Sequence, residues 1–143
     1  YHDVDSSAIA DGLYVGDVTH GADRTFLAMG CYDYTTSDVL FEVVTGLSSG
    51  KLARASISLK QDAGSYYYYP GHASIDAEGT RAVFATGYPS ALFVLDAANP
   101  TSPSLTQVHT FSSNTYDVGV ELDGNEVLCS LGSYGVEAVE LAP

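Results

Sequence analysis

Tyrosine is the residue type whose placement could carry chemistry. Tyr66, Tyr67, Tyr68 and Tyr69 run directly into Pro70 and Gly71, and Tyr32 and Tyr34 occupy a comparable inter-strand position. Aromatic rings on loops suit stacking against a sugar face or burial in a protein interface. No convergent set of polar groups accompanies them, so packing or an assembly interface is the first reading and a glycan platform the alternative. Among the histidines, His20 precedes Asp23 and His72 precedes Asp76 at spacings that a metal could use. Each pair lies near a strand-to-turn boundary, where polar residues are expected anyway, and His2 and His109 share no aligned position with them. Asp76-Ala77-Glu78-Gly79 and Asp123-Gly124-Asn125-Glu126 look superficially like calcium loops but lack the full ligand spacing and its terminal glutamate. Hairpin turns explain them better. No nucleophile elbow, phosphate loop or dinucleotide fingerprint is present, and no serine sits in an activating context. The expectation is a protein that is not an enzyme, with no metal and no cofactor.

Charge narrows the partners. Eighteen acidic residues against five basic ones give a net charge of −13. A field of that sign repels phosphate backbones and anionic lipid surfaces, so neither nucleic acid nor a membrane surface is expected as a partner. No run of about 18 apolar residues exists to span a membrane. The chain starts at Tyr1 without a signal-like segment, as a processed secreted product or a piece of a longer protein would. Cys31 and Cys129 are the only cysteines. Cys129 sits in the apolar run Val127 to Leu131, where a buried free thiol is the ordinary explanation.

The elements that must hold these residues come from a repeat. Gly21 to Gly30, Glu78 to Gly87 and Asp123 to Gly132 each read as a polar turn, a short apolar strand and a glycine. A further apolar strand follows each glycine: Val39 to Val44, Ala91 to Leu95 and Val136 to Leu141. Units two and three are offset by 45 residues for both strands; units one and two by 57 for the first and 52 for the second. Outer strands with one wet face follow at Leu52 to Leu59 and Ser104 to Phe111. An upstream strand (Leu13 to Val18, His72 to Ile75, Tyr116 to Leu122) completes each unit. No segment has a capped 3.6-residue period, so almost no helix is expected. Val83-Phe84-Ala85 and Leu92-Phe93-Val94-Leu95 are apolar at consecutive positions, which requires cover on both faces. The fold class is therefore all-β, with about three four-stranded antiparallel propeller-like blades in one domain. The repeats fall at about 11–60, 66–111 and 114–143, with 1–10 available to complete the last blade.

The stretch Leu92-Phe93-Val94-Leu95-Asp96-Ala97-Ala98-Asn99-Pro100-Thr101-Ser102-Pro103 resembles the LVIVD repeat of bacterial and archaeal surface β-propellers. In that family an apolar strand ending in Asp enters a small-residue turn with two spaced prolines. The resemblance implies a propeller fold and a surface setting, and it says almost nothing about activity. Three blades are too few to close a ring, so the chain reads as a partial propeller or one completed by other chains. Exposed blade faces would be large apolar patches, which points to a homo-oligomer or a subunit of a larger assembly. The functional expectation is a secreted or cell-surface structural protein. The alternatives are a glycan- or protein-binding module using the tyrosine loops, and a fragment of a larger propeller enzyme.

Overall fold

The computed structural model describes residues 13–20, 23–31, 39–46, 49–51, 53–58, 74–87, 90–115 and 118–142. They form an all-β architecture of three antiparallel sheets. The first sheet takes β1 (Leu13–His20), β2 (Arg24–Cys31), β3 (Val39–Thr45) and β4 (Ala53–Ser58) in sequence order. The middle sheet takes β5 (Ser74–Glu78), β6 (Arg81–Gly87), β7 (Ser90–Asp96) and β8 (Ser104–Thr110) in the same way. In the third, β9 (Gly119–Asp123), β10 (Glu126–Ser130) and β11 (Val136–Glu140) pair in turn. The described residues hold no α-helix, and a short 3-10 turn runs over Gly132–Tyr134.

Local chemistry explains the meander. Glu78 pairs with Arg81 and Asp123 with Glu126, which leaves two-residue turns whose first positions are Gly79 and Gly124. Both glycines have positive φ, 61° and 59°, the conformation that a hairpin turn of this size needs and a side chain resists. The acidic runs around them are thus hairpin connections, as their composition suggests.

The sheets stack face to face, and the middle one is covered on both sides. Ala82, Phe84, Phe93 and Leu95 point toward the first sheet, where they meet Phe26, Phe41, Val43 and Ile57. Val83, Ala85 and Leu92 point the other way and meet Leu122, Val127, Cys129 and Leu141 of the third sheet. The consecutive apolar residues of β6 and β7 therefore serve two cores, one on each face. Phe84 anchors the first of these, stacked on Phe41 of the neighbouring sheet at 3.7 Å and on Phe93 of its own at 4.9 Å. Each such ring pair contributes about 0.5–1.5 kcal/mol beyond area burial. On the far side of the first sheet Thr25 and Val44 are buried as well.

The register corrects the sequence alignment by one residue. Arg24 pairs with Thr45, Arg81 with Asp96 and Glu126 with Glu140. The third strand of each unit is thus offset by 51 and 44 residues, where the apolar pattern suggests 52 and 45. Two equivalent main-chain bonds agree: Ala97 donates to the carbonyl of Thr80 at 2.9 Å, and Leu141 to that of Asn125 at 2.7 Å. The fourth strand follows suit, with Ala53 standing where Ser104 stands. A second departure lies in β8, where a bulge opposite Leu92 and Phe93 breaks the expected alternation and leaves Val108 exposed.

Candidate functional site

The tyrosine candidates, Tyr66, Tyr67, Tyr68, Tyr69, Tyr32 and Tyr34, all lie outside the described residues, as do His2 and His72. The segment 1–10, expected to complete the last blade, lies outside them too. Asp23 and His20 do not converge: the Asp23 carboxylate holds Arg24 Nε at 2.7 Å, while His20 Nδ1 meets the hydroxyl of Thr25, its cross-strand partner, at 2.9 Å. No group of three or more His, Cys, Asp or Glu side chains is arranged to hold a metal ion among the described residues. Cys129 is a free, buried thiol, as its apolar setting suggests. Burial, with a smaller contribution from the nearby Glu137 carboxylate, pushes its pKa up to about 11. That protonation state suits a core residue and not a nucleophile.

The polar geometry that does stand out ties one sheet to the next. β5 is the first strand of its unit, and it lies between β1 and β9. Its alternate side chains all face β9. Ser74 Oγ accepts from the main-chain N–H of Val120 at 3.3 Å, Asp76 Oδ2 from Leu122 at 2.8 Å, and Glu78 Oε2 from Gly124 at 2.8 Å. β9 is an edge strand, so these N–H groups have no strand partner, and three side chains two residues apart replace the missing ladder. Asp76 also reaches the other way: its second oxygen takes a weak contact from the Thr19 hydroxyl of β1 at 3.5 Å.

Arginines add donors running in the opposite sense. Arg24, first residue of β2, donates to the carbonyl of Ala97 in the middle unit. Arg81, first residue of β6, donates to the carbonyl of Gly124 and to Asn125 Oδ1 in the third unit. Near the outer edge, His109 Nε2 of β8 meets Glu137 Oε1 of β11 at 2.6 Å, both side chains half-buried. Each sheet is thereby fastened to its neighbour by side chains as well as by apolar contact.

Sequence reasoning read Asp76 and Glu78 as turn residues, with Asp76 also weighed as a metal ligand beside His72, and missed this ladder. The available signal was the polar alternation Ser74, Asp76, Glu78 on a strand, matched by Gly119, Glu121, Asp123 in the third unit. The pairing of His109 with Glu137 carried no local signal. The open face of the third sheet is also less apolar than expected, with carboxylates around a few aliphatic side chains. No protein-family model matches the chain, and no curated protein is similar to it.

Proposed function

We propose that the chain is a non-catalytic structural protein, extracellular or at a cell surface, whose propeller-like repeats assemble with copies of itself or with other subunits. The observation that carries this reading is the way one sheet is joined to the next. Every sheet-to-sheet junction combines an apolar face with side chains bonded across to the neighbouring unit. Such a junction can in principle be repeated between chains as well as within one.

The order β1, β5, β9, with the first strands of successive units side by side, is compatible with inner strands gathered near a propeller axis. The net charge of −13 disfavours nucleic acid and anionic lipid as partners. No helix among the described residues is long and apolar enough to cross a membrane. The LVIVD-like stretch Leu92 to Pro103 supports the surface setting by resemblance alone. Light scattering on the purified chain across a concentration series tests self-association. A mass rising above that of one chain supports it, and a single-chain mass at every concentration argues against it.

A further inference from the structure

The outer face of the third sheet repeats much of the chemistry of a face that is already occupied. The register places Asp76 and Glu78 of the middle sheet in correspondence with Glu121 and Asp123, and Val83 with Leu128. Leu92 corresponds to Val136 and Val94 to Ala138. On the middle sheet this set is covered: Val83 and Leu92 are fully buried, and both carboxylates accept main-chain N–H groups from the next unit. On the third sheet the same set is open, with Leu128 exposed at 42% and Val136 at 72%.

Three positions break the correspondence: Gly119 stands where Ser74 does, Ser130 where Ala85 does, and Glu126 where Arg81 does, the last reversing a charge. The row Glu78, Arg81, Asp96 across the middle sheet alternates in sign, whereas Asp123, Glu126, Glu140 across the third is acidic throughout. Carboxylates directly opposite one another in a sheet repel. At the two internal junctions an arginine in this place donates to the neighbouring unit. At the third the donor has to come from the other side.

We propose that this face is a docking surface for a cationic β-sheet of a different polypeptide. Its partner presents an edge strand with free N–H groups toward Glu121 and Asp123, and a Lys or Arg into the acidic row. A second copy of the same face is disfavoured, because it sets carboxylates against carboxylates. On the far side of a second copy's first sheet Thr25 and Val44 are buried, so those two positions are closed to it. The inference rests on the assembly reading and narrows it to one surface and one kind of partner.

The probe is a copy of this chain carrying Glu121→Lys, Glu126→Lys and Glu140→Lys, mixed with the unaltered chain in equal amounts and followed by sedimentation velocity. All three positions are on the exposed face, and circular dichroism checks that the variant folds. The expected result is a mixed dimer at low salt, weakened by about tenfold or more at about 0.5 M salt. It should disappear when the unaltered partner carries Val136→Asp. Absence of a mixed dimer, or a dimer indifferent to Val136→Asp, overturns the proposal. The wider reading is judged separately: an oligomer of the unaltered chain that Val136→Asp leaves intact upholds self-assembly through another surface, whatever the mixed-dimer result.

Discussion

Glu126→Arg reinstates in the third sheet the sign alternation that the middle sheet carries. Glu126 sits directly across from Asp123 on one side and Glu140 on the other, and all three side chains are exposed. The substitution turns two like-charge pairs into two opposite-charge pairs. Cross-strand charge pairs are worth about 0.2–1 kcal/mol, and exposed ones fall toward the low end because solvent screens them. Reversing both should therefore stabilise the fold by about 1 kcal/mol, a rise of roughly 3 °C in Tm for a chain of this size. The assay is thermal denaturation at low ionic strength and again at about 1 M salt, where the screening length falls to about 3 Å. Glu126→Gln, which removes repulsion without adding attraction, should give about half the gain. An unchanged or lowered Tm for Glu126→Arg, or a gain that survives high salt undiminished, would refute the reasoning.

Three further outcomes follow from the packing and the inter-sheet bonds. Phe84→Ala removes a fully buried ring stacked on Phe41 and Phe93 and should cost about 3–5 kcal/mol in urea denaturation; a loss under about 1 kcal/mol would contradict the core between the first and middle sheets. Asp76→Ala strips the acceptor from the Leu122 N–H and should cost about 1–3 kcal/mol, with faster hydrogen exchange at that amide. Asp76→Asn keeps an oxygen there and should recover most of the loss; equal losses for the two variants would dismiss the bond. Cys129 has a folded pKa raised from 9.0 to about 11, so its neutral thiol contributes fully below pH 9 and loses that contribution as pH rises toward 11. Stability measured over that alkaline window should fall less for Cys129→Ala than for the unaltered chain, and parallel curves would refute the assignment.

How much of this was legible in the sequence depends on which interactions leave a local pattern. Val83-Phe84-Ala85 announces a strand covered on both faces, because no half-exposed strand tolerates three consecutive apolar residues. The same property hid the register. Where both faces are apolar, a slip of one residue violates no pattern, and only the pairing of Arg81 with Asp96 and Glu126 with Glu140 reveals it. The ladder from Ser74, Asp76 and Glu78 was unreadable for another reason. Its partners are main-chain N–H groups in another unit, which carry no residue type, and acids before a glycine already have an ordinary explanation as turns. The tyrosine candidates stood out by composition, and composition alone gives them no geometry.

Because β6 and β7 are sheltered from both sides, loss of structure has to begin elsewhere. The third sheet has one neighbour and an open face, so it can peel away and leave the middle sheet seated against the first. Amide protons of β9 to β11 would then exchange through partial opening, while those of Phe84 and Phe93 would wait for the whole stack to come apart. The chain would behave as a short column that frays from its exposed end, and anything seated on that end would slow the fraying.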